Sequence, residues 1–120
     1  RESMYNILIC DDEKDIVNAL KIYLNDTNYH FLEAFDGEEA VHVVETKEVH
    51  LVLMDIMMPK MDGIQAMEKI CTMSFAVPII AVMAYAFYTE QQAIQAGCNA
   101  VISKPYSVEK LRETIESYIG

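Results

Sequence analysis

Leu51-Val52-Leu53-Met54-Asp55 decides the fold: a short, wholly apolar run that stops on a carboxylate. An apolar run of about four to eight residues bounded by turn signals reads as a strand buried on both faces. The chain that follows, Met58-Pro59-Lys60-Met61-Asp62-Gly63, must be loop, because Pro59 cannot sit inside a helix and Gly63 is conformationally permissive. Upstream, Tyr5-Asn6-Ile7-Leu8-Ile9-Cys10 has the same character and runs into Asp11 and Asp12. Downstream, Val77 to Ala84 is a third such run, and Ala100-Val101-Ile102 leads through Ser103 to Lys104-Pro105. As adjacent parallel strands, these runs would bring three carboxylates and one ammonium to the carboxyl edge of one sheet. Ligands bind at that edge in open α/β sheets. Crowded carboxylates repel one another and need a cation. Mg²⁺ fits, since it is a hard ion that takes one or two carboxylates, keeps waters and bridges to phosphate.

The intervening stretches change period from strand to helix. Ile16, Leu20, Tyr23 and Leu24 recur at helical spacing and predict an amphipathic helix over Lys14 to Asp26. His30–Phe35 reads as a second strand, closed by Asp36-Gly37, a turn pair that also offers an N-cap. Ala40, Val41 and Val44 place a helix over Glu38–Lys47, before the strand His50–Asp55. Asp62 with Gln65 forms a capping pair for a helix whose buried stripe is Ile64, Met67, Ile70 and Cys71. Pro78 opens the fourth strand; Thr89 and Gln92 cap a short helix that Gly97 ends. The fifth strand is Ala100–Ser103, and Ser107 caps a last helix with Leu111, Ile115, Tyr118 and Ile119 inward. Strands spaced by helices imply right-handed crossovers and a three-layer α/β/α sandwich around a parallel sheet.

Composition sets the outer bounds. The 120 residues suit one domain with a real core, and the 52% hydrophobic content excludes disorder. No apolar stretch approaches the roughly 18–20 residues of a membrane span, and no secretory signal is visible. Arg1-Glu2-Ser3 before Met4 reads as an added remnant, leaving residues 4–120 as the domain. Net charge of −10 disfavours nucleic-acid binding by this chain, which needs a basic face. Cys10, Cys71 and Cys98 are widely spaced in apolar surroundings and read as reduced core thiols of a cytoplasmic protein. His30, His42 and His50 share no metal-ligand spacing, and the eight methionines read as gap fillers.

An acidic pair after one strand, an Asp followed by Met-Met-Pro and a Gly after another, and Lys-Pro after a later one form a distinctive set. In this order and spacing the chain resembles the receiver domain of two-component response regulators, over Met4 to Gly120. The resemblance implies a flavodoxin-like, doubly wound five-stranded parallel sheet of order 2-1-3-4-5 with five helices. It implies that Asp55 accepts a phosphoryl group from a histidine kinase or phosphotransfer protein, then loses it by slow self-catalysed hydrolysis. It further implies that Asp12, Asp55 and the Met57 carbonyl ligate Mg²⁺ or Mn²⁺, with Asp11 acting through water. Lys104 would pair with a phosphoryl oxygen, and the bond to Pro105 would be cis. Such a domain signals to an output domain or partner protein, as a monomer or weak dimer.

Two positions depart from the family pattern. Met83 stands where receivers carry Ser or Thr at the end of the fourth strand, and Val101 where the fifth carries an aromatic. A thioether cannot donate a hydrogen bond to phosphate. The first two-thirds resemble receivers of DNA-binding regulators, whereas Ala84-Tyr85-Ala86 through Ser103-Lys104-Pro105 resembles receivers of hybrid kinases. A second reading is therefore a natural or engineered receiver-fold interaction module that works without phosphate. Phe87, Tyr88 and Tyr106 are either its partner surface or local packing. A haloacid-dehalogenase-like phosphatase would need a second Asp where Met57 stands, and is set aside.

Overall fold

Five strands and five helices alternate along the chain in the computed structural model, which describes residues 5–56, 62–73, 77–83 and 90–119. They are β1 (Tyr5–Cys10), α1 (Lys14–Tyr23), β2 (Tyr29–Ala34), α2 (Gly37–Thr46) and β3 (Leu51–Asp55). Then come α3 (Gly63–Cys71), β4 (Ile79–Met83), α4 (Glu90–Ala96), β5 (Ala100–Ser103) and α5 (Val108–Ile119). The sheet is parallel throughout, in the order β2-β1-β3-β4-β5.

The two faces of the sheet carry separate cores. Leu8, Cys10, Val52, Met54, Ala81 and Met83 point to one face, where α2, α3 and α4 cover them with Val44, Met67, Ile70 and Ala93. Ile7, Ile9, Leu51, Leu53 and Ile80 point to the other, under Val17 and Leu20 of α1 and Leu111 and Ile115 of α5. β3 and β4 are buried at every position. That is why they read as unbroken apolar runs rather than as alternation.

The caps follow the side chains. Asp36 accepts the Glu39 N–H at 2.9 Å, and Asp62 and Gln65 form a reciprocal capping box at the start of α3. Ser107 Oγ accepts the Lys110 N–H at 3.0 Å, and Gly97 leaves α4 with φ of 121°. Thr89, the expected partner of Gln92, lies outside the described residues.

Several boundaries and faces differ from the sequence reading. α1 ends at Tyr23, not Asp26: Asp26 Oδ1 accepts the Asn28 N–H at 2.8 Å, a local turn that competes with helix. Arg112 of α5 donates to the Tyr23 carbonyl and so satisfies a group the helix end leaves open. β2 spans Tyr29–Ala34 because Tyr29 pairs with Tyr5 and Ala34 with Cys10. β4 starts at Ile79, while the Pro78 carbonyl still accepts the Val52 N–H at 2.9 Å. Tyr23 and Tyr118 are exposed rather than inward; the Tyr118 hydroxyl donates to the Asn99 carbonyl at 2.8 Å. A phenol tip needs such a partner or water, which draws the ring outward. Cys71 is also exposed, since it is the last residue of α3 and its thiol lies against the carbonyls of Ala96 and Gly97 at the end of α4.

Candidate functional site

The register of the central strands sets the site. Cys10 pairs with Met54, so the next residues, Asp11 and Asp55, come level at the carboxyl edge. Met83 pairs with Ser103, and the following residue, Lys104, donates its backbone N–H to the Met83 carbonyl at 2.7 Å. Lys104 thus leaves the sheet on the same edge. The Lys104–Pro105 peptide bond is cis.

Each carboxylate has a different environment. Asp11 and Asp55 are each 5% exposed, whereas Asp12 is open to solvent where the chain turns toward α1. One carboxylate oxygen from each of the three lies within 4.8 Å of the others. Asp11 Oδ1 accepts the Glu13 N–H at 2.9 Å, which ties the carboxylate to the start of α1. Burial pushes the Asp11 carboxyl up to about 6; the Glu13 N–H opposes this, and the neighbouring Asp55 charge adds to it. Lys104 Nζ stands 3.8 Å from Asp55 Oδ2, an ion pair longer than a hydrogen bond.

Three neighbours hold this arrangement that the sequence reading did not place in the site. Gly63 donates its N–H to the Ile56 carbonyl at 3.2 Å, and a Cβ there would overlap the Ile56 backbone and crowd the Asp55 carbonyl. Its glycine is required by close approach, so α3 starts directly against the end of β3. Tyr106 is half-buried and, with Leu20, Leu53 and Val82, lines a small pocket at Asp11 and Asp55. Burial first, then those two carboxylates, push its phenol up. Cys10 donates to the Asp36 carbonyl at 3.4 Å, joining β1 to the start of α2. Its thiol is pushed far up by burial and by the Asp55 and Asp11 charges, which keeps it inert. A glycine shortly after a strand-end Asp was a visible signal for the first; nothing local marked the others.

Met83 is 1% exposed and packs in the core under α2, α3 and α4, and Val101, level with Ala81, packs against that same core. Both positions are apolar filler beside the charged edge. Met57, Phe87 and Tyr88 lie outside the described residues. Among the described residues, Asp11, Asp12 and Asp55 form the one cluster able to hold a metal ion. No helix among them is long and apolar enough to cross a membrane.

Known proteins share this sequence pattern at the level of the whole domain and its fold. The response regulator GtcR of Aneurinibacillus migulanus is 35% identical over 102 residues, covering 84% of this chain and 42% of GtcR. The chain therefore spans less than half the length of that relative. It spans 96% of the polar-differentiation response regulator DivK of Brucella anthropi, at 31% identity over 118 residues and 96% of this chain. A solved CheY-like response regulator receiver domain protein from Methanospirillum hungatei superposes with a TM-score of 0.86 at 30% identity, covering 96% of this chain and 93% of that one. With the response regulator receiver domain family matching residues 7–116 as well, the chain belongs to that family of two-component signalling domains.

Proposed function

We propose that this receiver domain accepts a phosphoryl group on Asp55 from a phosphohistidine donor, in the presence of Mg²⁺ or Mn²⁺, and passes the signal to an output domain or partner. The observation that carries this reading is the grouping of Asp11, Asp12 and Lys104 around the nearly buried Asp55 carboxylate. An all-oxygen donor set of this kind suits a hard divalent cation rather than a soft one. Asp12 and Asp55 would hold it directly with the Met57 carbonyl, and Asp11 through water. When bound, the ion supplies positive charge that offsets the approaching phosphoryl group.

The chain's own residues do the rest. An Asp55 oxygen forms the new O–P bond as the donor's N–P bond breaks, and the donor imidazole leaves with the bonding electrons. Lys104, already 3.8 Å from Asp55, offers an ammonium to a phosphoryl oxygen. Phosphoryl transfer asks mainly for positioning and charge neutralisation, which these groups provide. The donor would be a histidine kinase or a phosphotransfer protein in the cytoplasm, and the domain would work as a monomer or weak dimer. Water would later hydrolyse the acyl phosphate slowly within the same site.

One observation favours a second reading for the output. Met83 is packed in apolar core at the edge of the site, with no hydroxyl to offer phosphate. Phosphorylation would then change the site without the usual movement beyond it, and the domain would act chiefly as an interaction module. Acetyl phosphate with Mg²⁺, followed by intact mass, tests the main reading. The chain should gain one phosphoryl group and Asp55→Asn none; labelling of Asp55→Asn at the wild-type level would refute the nucleophile.

A further inference from the structure

Cys71 and Cys98 lie at the opposite edge of the sheet from the carboxylates. α3 runs back from Gly63 beside Asp55 to end at Cys71, and Cys98 stands two residues before the strand that returns toward Lys104. The Cys71 sulfur rests 3.7 Å from the Gly97 carbonyl oxygen and 3.9 Å from that of Ala96. It occupies the space into which a side chain at position 97 would project. A Cβ built there would stand 2.3 Å from the Cys71 sulfur and 3.5 Å from the Cys71 Cβ, so Cys71 lies directly against the backbone that leads into Cys98. Cys98 is one peptide further on, about 3.8 Å between Cα atoms. Gly97, with φ of 121°, is the joint between them.

We propose that Cys71 and Cys98 are a redox-active thiol pair that closes to an intramolecular disulfide by exchange with a small disulfide such as oxidised glutathione, tying α3 to the turn between α4 and β5. Cys71 is exposed and Cys98 is buried, which orders the steps. The Cys71 thiolate attacks the small disulfide, forming a mixed disulfide and releasing one glutathione thiolate. The Cys98 thiolate then attacks the Cys71 sulfur and releases the second. Two protein thiols are oxidised and one glutathione disulfide is reduced to two thiols. Burial, and to a lesser degree the Cys71 sulfur nearby, push the Cys98 thiol up. A buried thiol of that kind is a poor first attacker and acts when the mixed disulfide is presented beside it. Cys10, deep under the acidic site, takes no part.

The inference is independent of phosphorylation at Asp55. Its test is a titration of the reduced full chain with oxidised glutathione, read by intact mass, denaturing alkylation and a non-reducing peptide map. The expected product has lost two hydrogens, keeps Cys10 as its one alkylatable thiol, and yields a Cys71–Cys98 linked peptide. Cys98→Ser should stop with one glutathione on Cys71. Cys71→Ser, at an exposed position that leaves the core intact, should form no internal bond. In the oxidised chain, amide exchange in α4 should slow severalfold. Three alkylatable thiols after titration, a lasting glutathione adduct on unaltered chain, or a bond between two chains would each overturn the proposal. Unchanged exchange in α4 with the bond formed would overturn the tether.

Discussion

Asp55 and Met83 end neighbouring strands, at nearly the same height and nearly the same burial, 5% and 1% exposed. They differ in company. Asp55 faces Asp11, Asp12 and Lys104, a set of three carboxylates against one ammonium. Met83 belongs to a buried apolar cluster with Met54, Ile56 and Ala81 and is already balanced by packing. Burial alone therefore does not separate a candidate site from a filler; the surrounding charge does. The β1–β3 side of the edge is built for charge, and the β4 end beside it is closed by hydrocarbon and sulfur.

The charged side of the edge should respond most strongly to substitution. Asp12→Asn removes the charge of a proposed direct ligand at an exposed carboxylate and should abolish most Mg²⁺ binding in titration calorimetry, without loss of fold. Met83→Ala should leave that binding almost unchanged. Equal binding by Asp12→Asn and the unaltered chain would place the ion elsewhere.

Gly63→Ala comes next, because an added Cβ must overlap the Ile56 backbone rather than a flexible side-chain end. α3 would have to move off the end of β3. The cost should be about 2–4 kcal/mol in urea unfolding, in the range of overpacking and backbone strain. A change under about 0.5 kcal/mol would show that the α3 start yields without strain.

Asp11 sharpens the electrostatic side. Its carboxyl is raised to about 6 in the fold, so the folded chain binds the extra proton between the unfolded value and that point. The stability this provides is fully present below about pH 4 and is lost as pH rises through about 6. Above pH 7 without metal, the ionised Asp11 should cost on the order of 1–3 kcal/mol. Asp11→Asn should therefore stabilise the chain at pH 8, with little effect at pH 4, and the gain should shrink when Mg²⁺ is added. A mutant no more stable at pH 8 would mean that Lys104 and the Glu13 N–H already compensate the charge.

The smallest effect is on the filler side. Met83→Thr should speed or stabilise phosphorylation by up to about tenfold, or ~1.4 kcal/mol, through a new hydrogen bond. The same change should cost about 1–3 kcal/mol of stability by opening the packed site. Adding Val101→Tyr should then carry the change to α4, away from the carboxylates, measured as amide shifts with and without a phosphoryl mimic. A large shift there in the unaltered chain would show that the hydroxyl and the aromatic are dispensable.

Local pattern was enough for the architecture. Unbroken apolar runs become β3 and β4 because both faces of a central parallel strand are covered, and Asp36, Asp62 and Ser107 cap because each side chain reaches the N–H three residues on. The helix ends were less legible, since α1 stops where Asp26 forms its own turn and Arg112, distant in sequence, meets Tyr23.

Residue order was enough to put Asp11, Asp12, Asp55 and Lys104 on one edge, because parallel strands all present their carboxyl ends on the same side. Only the tertiary structure decided which of the adjacent Asp11 and Asp12 is buried, and that Gly63 is demanded by the end of β3. It alone brought Cys71 against Gly97 instead of into the core. Periodicity reports which face a residue occupies. It carries no account of which distant backbone arrives opposite that face, and burial, pKa and close approach are all set by that arrival.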